Sequence, residues 1–160
     1  MTNDFCILLV EDDENDVFFF MRAAAEANIR NQISVARDGQ EAIEYLSGHN
    51  KFADRSTYPL PCLVVLDLKM PRRTGLEVLE WLRAESSLRT IPVIVFSSSA
   101  QGADIDRAYK LGANAFIVKP ASTDKRTELA RLINGFWLHH NQPPLGCSGK
   151  LPQSEGSPMI

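Results

Sequence analysis

Five residues of this chain have the types and placement for charged-group chemistry: Glu11, Asp12, Asp67, Ser97 and Lys119. Each sits at the end of a short apolar run. Glu11 and Asp12 follow Phe5 to Val10, Asp67 follows Cys62 to Leu66, Ser97 follows Val93 to Phe96, and Lys119, with Pro120 behind it, follows Ala115 to Val118. Three carboxylates brought close repel one another, and a hard divalent cation with oxygen preference is the common remedy; magnesium is the expected ion. The formal charges then balance. Three acids against one ammonium and a dication leave a neutral hollow before an anionic phosphoryl group arrives, and phosphoryl transfer depends on positioning and charge stabilisation.

In that chemistry Asp67 is the nucleophile, its second oxygen and Asp12 hold the ion, and Glu11 acts directly or through water. Lys119 pairs with one phosphoryl oxygen, and Ser97 donates its hydroxyl to another. Pro120 is a position where a cis bond could aim the lysine, although trans is the ordinary expectation. Taken singly, each residue has a plainer role as a helix cap or solvated turn, and Asp13 is expected to be a cap only. A cap does not account for Asp67, Ser97 and Lys119 at the ends of three other runs.

The elements that must position these residues are legible in the hydrophobic pattern. The apolar runs, with Ile33 to Ala36 as a further one, have the length and continuity of strands buried on both faces of a parallel sheet. Helical stripes alternate with them. The first runs from Asp16 to Asn28, with Val17, Phe20, Met21 and Ala24 on one face; Gln40 to Leu46, Leu76 to Leu82 and Ile105 to Leu111 follow, and Leu129, Leu132, Ile133 and Phe136 mark the last. Strand and helix alternating in this way predict an α/β, doubly wound parallel sheet of five strands with helices on both faces. Ligands of such sheets bind beyond the carboxyl ends of the strands, where the polar residues fall. Gly39 and Gly112 flank helices, and Gly112 suits a left-handed stop. The connection Ser47 to Pro61 is expected to be a surface loop.

Composition narrows the function. At 160 residues, 44% hydrophobic and 23% charged, the chain fits one ordinary globular domain, expected over residues 1–140. A tail rich in Pro, Gly and Ser is expected over 141–160. A net charge of −3 gives no footprint for binding a phosphate backbone, so nucleic acid is not expected as a partner. Cys6, Cys62 and Cys147 have neither metal-ligand nor paired spacing, which suits a reducing cytoplasm. The N-terminus is acidic rather than basic, and no stretch approaches the roughly 20 apolar residues of a membrane helix.

Four motifs, in this order, resemble those of the receiver domain of two-component response regulators. They are Ile7-Leu-Leu-Val-Glu-Asp-Asp13; Val65-Leu-Asp-Leu-Lys-Met-Pro71 with Gly75 beyond it; Pro92-Val-Ile-Val-Phe-Ser97; and Gly112-Ala-Asn-Ala-Phe-Ile-Val-Lys-Pro120. The match covers about residues 5 to 140. The resemblance implies a flavodoxin-like (CheY-like) fold with strand order 2-1-3-4-5. It implies that a sensor histidine kinase phosphorylates Asp67, with magnesium held by Glu11, Asp12, Asp67 and the backbone carbonyl of Lys69. Self-phosphorylation from small donors and self-dephosphorylation are implied too. The long loop and the Phe136-Trp-Leu138 ending are similar to the stand-alone regulators paired with phytochromes.

Phe116 stands where many receivers have Tyr, so the expected switch aromatic lacks a hydroxyl; Ser97 replaces the more frequent Thr. Lys69 puts a cation near the path of hydrolytic water and is expected to alter the lifetime of the phosphorylated state. The 40 residues after Pro120 leave no room for a DNA-binding output domain, so the signal is expected to leave through a downstream protein target. Phe18, Phe19 and Phe20 are consecutive on a helix, so at least one ring must lie off the core face. Trp137 beside Phe136 points to a homodimer through the last helices.

Overall fold

The computed structural model describes residues 5–144 and Cys147. Five strands, β1 (Ile7–Val10), β2 (Ile33–Ala36), β3 (Leu63–Leu66), β4 (Val93–Ser97) and β5 (Ala115–Val118), form one parallel sheet in the order β2-β1-β3-β4-β5. Five helices connect or follow them: α1 (Glu14–Glu26), α2 (Gly39–Ser47), α3 (Gly75–Ala84), α4 (Gly102–Lys110) and α5 (Thr123–Ile133).

The two-residue period of a strand divides the apolar runs between two cores. Leu8, Val10, Val64, Leu66, Val93 and Val95 pack with residues of α2 and α3 and with Ala108 of α4. Ile7, Leu9, Leu63, Val65, Ile94 and Phe96 pack with Val17 and Phe20 of α1 and Ile133 of α5. Full burial of one such aliphatic side chain contributes about 1.5–3 kcal/mol, and both faces of the three inner strands draw on it. This is why those strands read as continuous apolar runs rather than alternating ones.

Four of the five helices begin on side-chain caps, α4 being the exception. Asp13 accepts from the Asn15 and Asp16 amides, Asp38 from Glu41, Thr74 from Glu77 and Ser122 from Lys125. Helix α1 therefore starts at Glu14, two residues before the sequence pattern placed it. Gly112 has φ +105°, as expected for a left-handed stop.

Some expectations need correcting. Met21 is exposed, because the buried face of α1 is centred on Val17, Phe20, Ala23 and Ala24. Leu132 (64% exposed) lies on the solvent side of α5. Phe136 is turned out because a π-helical segment, Asn134–His140, continues from α5. Its wider turn, closed by the Asn141 amide donating to the Phe136 carbonyl at 2.6 Å, sends Leu138 inward instead.

The connection from Ser47 to Pro61 is more than a surface loop. A 3-10 turn, Asn50–Phe52, buries Phe52 against Tyr45 and Tyr58. Arg55 donates to the carbonyls of Tyr45 and Leu46, supplying partners that the end of α2 lacks. The peptide bond before Pro120 is trans. The irregular tail expected over 141–160 lies outside the described residues, apart from 141–144 and Cys147.

Candidate functional site

The parallel ladder brings the sequence-selected residues to one edge of the sheet. Just past the strand ends, the Glu11 amide donates to the Ala36 carbonyl at 3.0 Å, that of Asp67 to Val10 at 3.0 Å, and that of Lys119 to Ser97 at 2.8 Å. These bonds extend the register by one residue, so side chains that follow β1, β3 and β5 meet although they lie far apart in the chain, and Ser97 ends β4 on the same edge of the sheet.

Glu11, Asp12 and Asp67 present carboxylate oxygens within 4.8 Å of one another. Glu11 (2% exposed) and Asp67 (7% exposed) are buried, whereas Asp12 faces solvent. Lys119 Nζ donates to Glu11 Oε2 at 2.7 Å and lies 3.7 Å from Asp67 Oδ1. The Asp67 Oδ1 atom also accepts from the Leu68 amide at 2.9 Å. Ser97 is fully buried, and its hydroxyl accepts from the Ser99 amide at 3.2 Å. Phe116 is half-buried against the core under α2, α3 and α4, and the Lys69 side chain is exposed. Pro120 is also half-buried, next to the lysine.

Helix α3 is seated against the acidic hollow. Its first residue is Gly75, where a Cβ would overlap the carbonyl oxygen of Asp67 and crowd the Leu68 Cα. The Gly75 amide donates back to the Leu68 carbonyl at 3.0 Å. Glycine here is a matter of close approach.

Burial dominates the electrostatics. Desolvation pushes the Glu11 carboxyl up to about 7, against the opposing hydrogen bond from Lys119 and with help from the Asp67 charge. Asp67 is raised by the same desolvation, which outweighs the attraction of Lys119. For Lys119, burial acts downward, but hydrogen bonds to Glu11 and Asp16 and the nearby acids outweigh it, so the ammonium is held above its ordinary range. The three acids thus form a hollow short of positive charge. Clustered hard oxygen donors of this kind are what an oxygen-preferring divalent cation requires.

The pattern of strand ends did not reveal Asp16. Its Oδ2 accepts from Lys119 Nζ at 2.9 Å, and its Oδ1 lies 3.8 Å from Arg126 Nη2 of α5. The available signal was its position four residues after Asp12, one turn into a helix that starts beside the hollow. Ser99 was also missed; it donates to Asp104 at 2.6 Å and orders the loop after β4. A separate hollow of about 600 Å³ between α2 and α3, bordered by Ile43, Arg55, Trp81 and Leu88, contains none of the clustered acids.

A doubly wound sheet in this strand order defines the flavodoxin-like class of α/β domains, whose ligands bind beyond the carboxyl ends of the strands, where the acids are gathered here. The family model of the response regulator receiver domain matches residues 7–131, and the chain belongs to that family. It is 36% identical over 140 residues to the probable methanogenesis regulatory protein FilR2 of Methanothrix harundinacea, covering 88% of each chain. It is 30% identical to the response regulator Rcp1 of Synechocystis over 82% of this chain and 88% of that one. The crystal structure of the phosphorylated cyanobacterial phytochrome response regulator RcpA superimposes with a TM-score of 0.81 at 33% identity, covering 88% of this chain and 98% of that one. Rcp1 has been crystallised in a Mn²⁺-bound form, which this chain matches with a TM-score of 0.78. The protein is therefore a two-component signalling domain of the kind that works with histidine kinases, with an acidic cluster suited to a divalent cation. Among the described residues no helix is long and apolar enough to cross a membrane.

Proposed function

We propose that the domain of residues 1–140 accepts a phosphoryl group on Asp67 from a sensor histidine kinase, of the phytochrome type, and passes the signal on through protein contacts. The observation that carries this reading is the convergence of Glu11, Asp12 and Asp67 within 4.8 Å, with the Lys119 ammonium 3.7 Å from the Asp67 carboxylate.

In the reaction an Asp67 carboxylate oxygen attacks phosphorus. The phosphorus–nitrogen bond of the donor phosphohistidine breaks, the electron pair leaves with the imidazole, and an aspartyl phosphate remains. Glu11, Asp12, Asp67 and the Lys69 carbonyl would hold Mg²⁺, which when bound supplies positive charge to the phosphoryl oxygens. Lys119 offers its ammonium to one phosphoryl oxygen and Ser97 its hydroxyl to another. Reorientation of Ser97 leaves space into which the half-buried Phe116 turns, reshaping the surface near β5. Because Phe116 has no hydroxyl, its inward state is held by packing alone.

The same pocket supports self-phosphorylation from small acyl phosphates and self-dephosphorylation, in a cytoplasmic setting. Lys69 acts on the lifetime of the phosphorylated state: Lys69→Ala shifts the dephosphorylation rate, and an unchanged rate removes that role. The exposed Leu132 and Phe136 support a homodimer through the last helix. Residues 141–160 are assigned as a tail to the domain.

Incubation with acetyl phosphate and Mg²⁺ followed by intact-mass measurement tests the central claim. Wild type gains one phosphoryl mass and Asp67→Ala gains none. Equal labelling of the two proteins would place the acceptor elsewhere.

A further inference from the structure

The mechanism above leaves Asp16 unused, although it makes one of the two hydrogen bonds that hold Lys119. We propose that Asp16 is a positioning residue for phosphoryl transfer: it anchors the Lys119 ammonium from outside the acidic cluster, with Arg126 steadying it from behind.

An ammonium has three N–H donors. Glu11 takes one at 2.7 Å and Asp16 another at 2.9 Å, leaving the third for the side of Nζ where Asp67 Oδ1 lies at 3.7 Å. A phosphoryl group on Asp67 carries its oxygens into that gap, so Lys119 meets them without leaving either anchor. The two anchors differ in what else they face. Glu11 belongs to the group of acids that can share a cation, so its charge is divided when the cluster is loaded. Asp16 is outside that group, so a cation in the cluster does not compete with Lys119 for it.

The second oxygen of Asp16 faces Arg126, whose Nη2 is 3.8 Å away. The Arg126 guanidinium is stacked 5.1 Å from the Phe19 ring centroid, and its Nη1 is buried without a hydrogen-bond partner. Arg126 is thus wedged between α1 and α5, with its nearest anionic contact at Asp16. The line Arg126–Asp16–Lys119 joins α5, α1 and the end of β5 to the acceptor. A residue on the first turn of α1 that served only as a cap would have no reason to make this contact; Asp13 already fills that role.

The proposal rests on Asp67 being the acceptor, and two experiments separate the claims. In the first, phosphorylation by acetyl phosphate at saturating Mg²⁺ is followed by intact mass for wild type, Asp16→Asn and Asp16→Glu. Asp16→Asn is expected to be slower by about tenfold, the scale of one charge-assisted hydrogen bond, and Asp16→Glu to return to within about twofold of wild type. Half-saturation by Mg²⁺ stays where it was, since Asp16 is not among the clustered acids. A wild-type rate for Asp16→Asn, or a slow rate traced entirely to weaker Mg²⁺ binding, overturns the positioning role. Absence of Asp67 labelling in wild type overturns the underlying reading and this proposal with it.

The second experiment needs no metal. Urea midpoints of wild type, Asp16→Asn, Lys119→Met and the double variant are compared in chelator. The double variant is expected to be more stable than the two single changes predict when added, because each single change leaves the other charge unpaired. Strict additivity overturns the proposal.

Discussion

Burial decides the protonation of Glu11, and this has a measurable consequence. Its carboxyl is raised to about 7 from an ordinary 4.5. Between those values the folded metal-free protein keeps a proton that the unfolded chain has lost, so stability must fall as pH rises through that window. Asp67 is shifted in the same direction, by burial, and adds to the trend. Urea denaturation in chelator at several pH values from 4.5 to 7.5 should show this decline, and Glu11→Gln should flatten it; an unaltered slope in that variant would show that another group is responsible. A divalent cation binds the deprotonated form, so its affinity should rise over the same range. The meeting of Glu11, Asp12, Asp67 and Lys119 was legible in sequence because they follow apolar runs, and a parallel sheet aligns the ends of such runs. Asp16 was not legible in that way, since its partnership with Lys119 depends on how α1 leans toward β5, a geometry without a period in the sequence.

At the scale of elements, the strands were readable to within two residues, and burial on both faces of the inner three leaves no room there for polar residues. The helices were less so. Met21 and Ala23 compete for the inner face of α1, and packing against α5 prefers the small Ala23, which meets Ala27 and Ala130. The π-helical segment after Ile133 changes the angular step per residue, so a stripe projected with the α-helical period picks Phe136 where Leu138 is the buried residue. The loop before β3 hides its role from composition, because the value of Arg55 lies in reaching the carbonyls of another element. Arg55→Ala should lower stability by about 1–3 kcal/mol, measured by urea denaturation, through loss of its bonds to Tyr45 and Leu46. Stability close to wild type would mean that water satisfies those carbonyls equally well.

For the whole molecule, the two faces of the sheet divide the labour. One core is closed by α1 and α5, the other by α2, α3 and α4, and the acidic cluster lies past the ends of β1 and β3, with Lys119 reaching it from the end of β5. The α1 and α5 side also carries the large exposed apolar side chains Phe18, Leu132 and Phe136. If the last helix joins two copies, Phe136→Asp should halve the mass measured by light scattering at high concentration while leaving acetyl phosphate labelling intact; a monomeric wild type, with and without a phosphoryl mimic, would remove the dimer.

Gly75 has a final implication for how a chemical event at residue 67 could be felt elsewhere. The carbonyl of Asp67 abuts the start of α3 with no space for even one added carbon, so the main chain there is pinned against a helix. Phosphorylating the carboxylate can rotate a side chain but cannot push that backbone backwards without lifting α3 whole. Deformation is steered sideways along the sheet toward β4 and β5, which end in Ser97 and Val118, and the floor beneath the acceptor behaves as an anvil.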